Sequence, residues 1–154
     1  MAKSGLMVLS AALMLVSAGC PARVETVPAA DGDYNRCVEV ITAAYAAFNA
    51  FDLEKCLSYL EPSYAVEARP ALQENMQQFL KGRAMNVRLV PAVGPSPLSQ
   101  GEDSMSLCVT ISVWPGRLHP DEHFIYELKK INGDWKISAQ KDDPDWRSRT
   151  PLSS

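Results

Sequence analysis

Two histidines flank a pair of carboxylates in segment 119–123, which reads His-Pro-Asp-Glu-His. Histidines four residues apart converge on one metal ion when they lie on a helix, because that spacing places them on the same face. Pro115, Gly116 and Pro120 instead predict a connection between strands, where side chains at this spacing do not converge. We therefore expect a solvated polar loop and no bound metal.

Three cysteines, Cys37, Cys56 and Cys108, follow position 20, so at least one thiol must stay unpaired within a monomer. Cys37 and Cys56 fall in the apolar stripes of two predicted helices, where burial raises the pKa of a thiol and makes it a poor nucleophile. They also lie at different heights along those helices, too far apart for a disulfide. Inert packing is the expectation for both.

Tyr45, Tyr64 and Tyr126 are the polar side chains that the apolar pattern places toward the core or its rim. Acid–base catalysis there would also need a carboxylate or histidine whose pKa is shifted by burial. The pattern forces no such group inside, and His123 and Glu127 alternate with Tyr126, so they are predicted on the opposite face. No catalytic residue can be assigned, and the tyrosines are interpreted as aromatics with hydrogen-bonded hydroxyls.

The first 20 residues have the pattern of an export signal, with Lys3, an apolar run over 6–16 and small residues at 17–19. Segment 16–20, Val-Ser-Ala-Gly-Cys, resembles the lipobox of bacterial lipoproteins, although Leu is commoner than Ser17 at its position. The resemblance implies that Cys20 is lipidated and becomes the mature N-terminus, on the bacterial cell membrane or the outer membrane. The alternatives are an ordinary secretory signal and an uncleaved anchor, but the run is shorter than the roughly 18 residues of a spanning helix.

The remaining chain predicts one domain. Its formal net charge is -3, from 15 basic and 18 acidic residues without a Lys/Arg run, which makes nucleic acid an unfavourable partner. Residues 21–33 are predicted to be a flexible tether, 34–141 the folded domain and 142–154 a loose tail. Trp146 in that tail is a candidate for docking on the mouth of the domain, at its open end.

Apolar spacing predicts two helices joined by a tight corner. Apolar residues recur at steps of four, three, four and three from Cys37 to Phe51, and Asp33 or Asn35 can cap the first helix. Asp52 can cap the second.

Prolines are expected to set the boundaries of the next two helices. Pro62 is predicted to end the second helix. A third is predicted to follow Arg69, with Pro70 in its first turn and Gly82 at its C-terminal end.

The second half of the chain has the period of β-strands. The side chains of residues 86–93 alternate between the two faces of a strand, and Pro91 among them favours an edge strand or a kink. A Pro/Ser/Gly loop is predicted over 94–103. Residues 104–114 then alternate between an apolar face and a face of small uncharged side chains.

A closing hairpin is predicted around Asn132-Gly133, a pair that favours a type I′ turn. This turn pairs Ile131 with Asp134, and the register continues with Lys130 opposite Trp135. The predicted partners further along are Leu128 with Ile137 and Tyr126 with Ala139. Gln140 is expected on the outer face, and Lys130 is expected over the Trp135 ring.

Two stretches resemble nuclear transport factor 2-like (SnoaL-like) domains. Residues 49–57, Asn-Ala-Phe-Asp-Leu-Glu-Lys-Cys-Leu, match the family's sequence of helix, small residue, acidic residue and second helix. Residues 132–137, Asn-Gly-Asp-Trp-Lys-Ile, match its closing hairpin. The resemblance covers about 33–140 and implies an α+β fold in which N-terminal helices pack on a curved antiparallel sheet, forming a cone. The residues expected to line a pocket in it are Tyr45, Phe48, Tyr64, Met105, Leu107, Val109, Tyr126, Leu128, Trp135 and Ile137.

Three functions are compatible with this cone and with export. The leading hypothesis is a noncatalytic, lipid-anchored module that binds a small apolar ligand or another envelope protein. The second is an enzyme of isomerase, dehydratase or cyclase type in the same cone, which rests on analogy of fold. The third is a structural envelope protein that forms a homodimer through the small-residue face of 104–112. No cofactor is implied.

Overall fold

The computed structural model of the chain describes residues 31–82, 87–114 and 120–149. Its helices are α1 (Asp31–Asn49), α2 (Leu53–Ser58), α3 (Pro62–Gly82) and the short α4 (Trp146–Arg149). Its strands are β1 (Arg88–Val93), β2 (Ser99–Gln100), β3 (Ser104–Trp114), β4 (Glu122–Ile131) and β5 (Asp134–Asp142). The lipidation prediction at Cys20 lies outside the described residues.

The corner between α1 and α2 forms as its sequence predicts. Phe51 adopts a left-handed backbone with φ of 58°, which turns the chain away from α1. The Asp52 side chain then accepts a hydrogen bond from the backbone N–H of Lys55 at 3.0 Å and caps α2.

The third helix begins earlier than the sequence suggests. The prediction that it starts after Arg69 is wrong, because Pro62 occupies the first position of α3 and Pro70 lies inside it. Proline is well suited to a first helical position, where its missing N–H would have had no helical partner. At Pro70 the helix loses the hydrogen bond to the carbonyl of Val66. The Val66 side chain is 75% exposed, so the freed carbonyl lies on the solvent side.

The strands form one curved antiparallel sheet in the order β1-β3-β4-β5, and β2 pairs with β3. β3 has the predicted bounds and lies in the middle of the sheet, while β2 is a two-residue strand within the expected 94–103 loop. The helices cover one face of the sheet, where the alternating side chains of β3 are buried. They are Met105, Leu107, Val109, Ile111 and Val113. Among the described helices, none is long and apolar enough to cross a membrane.

The β4–β5 hairpin follows the predicted register only over its first half. Asn132 and Gly133 both have positive φ, at 52° and 89°, as a type I′ turn requires. Ile131 pairs with Asp134, and the register holds as far as the pair of Leu128 with Ile137. Lys130 Nζ lies 5.0 Å from the centroid of the Trp135 ring, as expected.

A β-bulge between Glu127 and Leu128 changes the rest of the hairpin. Glu127 pairs with Ala139, and Tyr126 pairs with Gln140 and not with Ala139. An extra residue on one strand reverses the faces that follow it, so the prediction that Gln140 faces outward is wrong. Its side chain accepts a hydrogen bond from the inner-facing Tyr126.

The outer edge of β1 is covered by side chains of α1. Asn49 Nδ2 donates to the carbonyl of Leu89 at 2.7 Å, and the Leu89 N–H donates to Asn49 Oδ1 at 2.8 Å. Pro91, two residues further on the same side, has no N–H to offer, which explains why an edge strand tolerates it. The Tyr34 hydroxyl donates to the carbonyl of Gly94 at 2.6 Å, just beyond the strand.

The outer edge of β5 is partly covered as well. Leu60 forms a parallel bridge with Ile137. The Ile137 N–H donates to the carbonyl of Tyr59 at 3.0 Å, and the Glu61 N–H donates to the Ile137 carbonyl at 2.8 Å. The α2–α3 connection therefore acts as a short additional strand.

After β5 the chain folds back over the outer face of the sheet. Asp143 is buried, and its Oδ2 accepts a hydrogen bond from Cys108 Sγ at 3.7 Å. The Trp146 ring stacks on the His123 ring with centroids 3.9 Å apart. Asp143 and Trp146 thus hold the start of the predicted loose tail on the outer face of the sheet and not on the cone mouth. They cover part of the small-residue face that was expected to pair two copies.

Candidate functional site

The interior of the cone is a filled core. A cavity in it, partly open to solvent, measures only about 20 Å³. Four of the predicted pocket residues line it, namely Tyr45, Tyr64, Tyr126 and Ile137. Five others are packed in the core at 1% exposure or less, namely Phe48, Met105, Leu107, Val109 and Leu128. The tenth, Trp135, lines a separate cleft on the surface.

The cavity is bordered by a chain of hydrogen bonds. The Tyr126 hydroxyl donates to Gln140 Oε1 at 3.0 Å and lies 2.6 Å from the Tyr45 hydroxyl. A phenol has one proton, so the Tyr126 hydroxyl accepts from Tyr45. The Tyr64 hydroxyl is buried, the backbone of Gln140 approaches its oxygen as a donor and lowers its pKa, and its proton has no acceptor among the described residues.

Burial keeps these phenols protonated. It raises the pKa of Tyr64 to about 12, and the carboxylate of Glu67 acts in the same direction. It also raises the pKa of Tyr45 and of Tyr126 well above the ordinary value, because a phenolate would lose its hydration in the core. The cluster is therefore a set of neutral donors and acceptors at neutral pH.

Glu122 is an inward-facing carboxylate that the sequence interpretation missed. It opens β4 on the same face as Phe124 and Tyr126, whereas segment 119–123 was expected to be a solvated loop. Desolvation, followed by repulsion from Asp142, raises the pKa of Glu122 from 4.5 to about 7. Its Oε2 is buried without a hydrogen-bond partner among the described residues. Its even spacing from Tyr126 is the signal that could have identified it.

The described part of segment 119–123 is not a solvated loop, because β4 begins within it. His119 lies outside the described residues, whereas His123 belongs to β4 and its Nδ1 lies 3.0 Å from Thr110 Oγ1. Desolvation lowers the pKa of His123, and Asp121 and Asp143 oppose that shift. Within 31–82, 87–114 and 120–149, no three His, Cys, Asp or Glu side chains come together in a group that could hold a metal ion.

The cysteines of the described residues are thiols in packed surroundings and form no disulfide with one another. Cys37, Cys56 and Cys108 are all buried. Burial raises the pKa of Cys37 and of Cys56 to about 12. At neutral pH such thiols are protonated and unreactive, as their apolar positions predict.

A larger concavity lies on the outside, between α1 and the β4–β5 hairpin. This outer cleft is open to solvent and has a volume of about 540 Å³. Charged groups of both signs surround a floor of aromatic and aliphatic side chains. The lining residues are Arg36, Glu39, Val40, Ala43, Tyr59, Gly133, Asp134, Trp135 and Lys136.

Asp33 fixes the two walls of the outer cleft to each other. Its Oδ1 accepts a hydrogen bond from Trp135 Nε1 at 3.0 Å, and its Oδ2 accepts from Lys130 Nζ at 2.9 Å. These two hydrogen bonds lower the pKa of Asp33. The prediction that Asp33 or Asn35 caps α1 is wrong, because both lie inside the helix. The contacts of Asp33 have no local signal in the sequence, since they join positions about a hundred residues apart.

The fold occurs in other proteins of very different sequence. A protein of unknown function from Nostoc punctiforme, described as having a cystatin-like fold, is 16% identical with a TM-score of 0.53, over 73% of this chain and 92% of that one. A function-unknown protein from Mycobacterium tuberculosis is 17% identical with a TM-score of 0.50, over 77% of this chain and 78% of that one. No protein-family model and no curated protein sequence matches the chain. These likenesses show the fold, which is the cystatin-like, nuclear transport factor 2-like cone.

Proposed function

We propose that this protein is an exported lipoprotein whose folded domain is a noncatalytic module that binds another envelope protein through the outer cleft. The observation that carries the proposal is the contrast in volume between the interior, at about 20 Å³, and the outer cleft, at about 540 Å³. Sites for small organic ligands have volumes of about 300–1,000 Å³. The interior is therefore too small for the apolar ligand that a cone suggests. The outer cleft has the volume of a ligand site, but it is open to solvent and bordered by charged groups, which favours a protein partner over an apolar ligand.

The side chains of the outer cleft suit a protein surface. Arg and Tyr are among the residue types that most often dominate binding energy at interfaces, and Arg36 and Tyr59 lie together here above the buried Trp135. The Arg36 side chain is 65% exposed. The partner expected is a polypeptide segment with an acidic group opposite Arg36 and an apolar side chain against Tyr59.

The position of the outer cleft agrees with membrane anchoring. The first described residue of α1 is Asp31, and Arg36 follows five positions later, about 8 Å along the helix axis. Segment 21–30 between Cys20 and α1 can span at most about 35 Å. A lipid on Cys20 would therefore hold the cleft close to the membrane surface, where an envelope partner would meet it.

Site-specific photocrosslinking in intact cells tests the cleft. A photoreactive amino acid at Glu39, which is exposed in the cleft, should yield a defined adduct that the same probe at exposed Val66 on α3 does not. R36E should lower the yield about fivefold or more, which corresponds to about 1 kcal/mol of binding. K129E, at an exposed site on β4, is the matched charge reversal and should leave the yield unchanged. Equal adducts from Glu39 and Val66 would contradict the assignment.

The anchor is tested by the mature N-terminus. Intact mass and fatty-acid labelling should show an acylated Cys20, and Cys20→Ala should abolish the label and release the protein from the membrane fraction. A mature chain that begins at another residue would remove this part of the proposal.

A second candidate is an enzyme in the cone, and inward-facing Glu122 with a pKa of about 7 is the observation that favours it. Its chemistry requires the cone to open enough to admit a substrate. A ligand-induced rise in melting temperature that disappears in Glu122→Gln would support it, and the absence of any such ligand from a broad library would count against it.

A further inference from the structure

The polar groups around the interior cavity point to a binding site for one water molecule. The cavity measures about 20 Å³, is partly open to solvent, and is lined by Tyr45, Tyr64, Tyr126, Cys56 and Gln140 together with apolar side chains. A cavity needs about 10–15 Å³ of water-accessible volume to hold one water molecule. This cavity therefore has room for one water and not for an organic ligand. The site lies between α1, α3 and the sheet.

Tyr64 supplies the reason for a water to occupy this place. Tyr64 is 7% exposed, and although the backbone of Gln140 approaches its oxygen as a donor, its proton has no acceptor among the described residues. A buried hydroxyl without a partner is costly, and a cavity beside it lets water supply the missing bond. Sites that hold water in proteins offer it two to four polar partners.

The neighbouring tyrosines supply those further partners. The Tyr126 proton is donated to Gln140, and the Tyr45 proton is therefore donated to Tyr126. The Tyr45 oxygen keeps lone pairs that can accept a hydrogen bond. We infer that one water accepts the proton of Tyr64 and donates to the hydroxyl oxygen of Tyr45 or Tyr126, joining α3 to the tyrosine chain of α1 and β4.

Water-to-protein magnetisation transfer in NMR tests this site on the intact domain. A water held for longer than nanoseconds should give cross peaks to the Tyr64 ring and hydroxyl protons, and Tyr64→Phe should abolish them. The variant should also lower the melting temperature by about 2–6 °C, because the water loses a donor and the tyrosine chain loses its link to α3. Tyr59→Phe, at a half-buried tyrosine of the outer cleft, is the matched control and should preserve the water signal.

Two results would overturn the inference. Absence of the cross peaks in the unmodified protein would show that no water is held. A rise in melting temperature in Tyr64→Phe would show that the hydroxyl is an uncompensated burden, since removing an unsatisfied polar group stabilises a core. The water signal comes from the unmodified protein, so the decision does not depend on how the variants fold.

Discussion

Glu122 and His123 lie side by side at the start of β4 and face opposite sides of the sheet. Glu122 faces the core, where burial favours its protonated form, and His123 lies under Trp146, where burial favours its neutral form. Both residues resist becoming charged, so they affect folding stability in opposite directions as the pH changes.

We expect the free energy of unfolding to depend on pH through this pair. The pKa of Glu122 is raised from 4.5 to about 7, so its contribution to stability is fully present below pH 4.5 and is lost as the pH rises to 7. The pKa of His123 is lowered from 6.5, so its contribution is fully present above 6.5 and is lost as the pH falls below that value. The groups that face His123 are Thr110, Trp146, Asp121 and Asp143.

Chemical denaturation at a series of pH values from 4.5 to 8 separates the two effects. Glu122→Gln should remove the loss of stability that accompanies rising pH between 4.5 and 7. His123→Gln should remove the loss that accompanies falling pH below 6.5. If both variants keep the pH profile of the original protein, these two groups are not the source of it.

Among the structural elements, β1 depends most on a single side chain. Asn49 mimics a neighbouring strand by bonding to both backbone groups of Leu89. Asn49→Ala should lower the free energy of unfolding by about 1–2 kcal/mol, because two hydrogen bonds are lost. The loss is no larger because water can solvate the uncovered edge. Urea denaturation measures the difference.

Asn49→Asp is the informative companion variant. Its carboxylate still accepts from the Leu89 N–H but cannot donate to the Leu89 carbonyl. At pH 3 the Asp side chain is neutral and can donate, so the stability of this variant should fall between those of the original protein and Asn49→Ala. As the pH rises the side chain becomes charged, and the stability of the variant should decrease. Equal stability of all three proteins would mean that Asn49 does not support the edge.

Sequence patterns predicted the elements whose signals are local. The Asn132-Gly133 turn fixes the hairpin as far as Leu128 with Ile137, and Asp52 caps α2 where expected. The bulge between Glu127 and Leu128 has no local sequence signal, because it depends on how two strands twist against the rest of the sheet. The early start of α3 was missed because Pro62 can either end one helix or begin the next.

The candidate site was harder to predict than the fold. The stripes identify the side chains that face inward, but the space left between them depends on packing to within a methyl group. Tyr45 and Tyr126 were placed correctly toward the core or its rim, yet nothing in the sequence shows that their hydroxyls meet at 2.6 Å. Glu122 was missed because Pro120 suggested that the loop continued further than it does.

At the scale of the whole molecule, the helices and the sheet share one continuous core. Leu107 lies at its centre on β3 with 0% exposure. Leu107→Ala should lower the unfolding free energy by about 2–5 kcal/mol, because a cavity is left where the neighbours cannot fully collapse. Val66→Ala, on the exposed face of α3, should change it by less than about 0.5 kcal/mol. Similar losses in both variants would indicate that the core is not packed as described.

The two covered edges of the sheet also affect how the protein behaves when many copies are close together. A bare β-edge recruits any extended polypeptide and seeds fibrous growth. Here one margin is capped by Asn49 and interrupted by Pro91, and the other is partly occupied by Leu60. Copies crowded into a two-dimensional layer, as a lipid anchor would impose, would then meet each other at edges that resist the addition of a further strand.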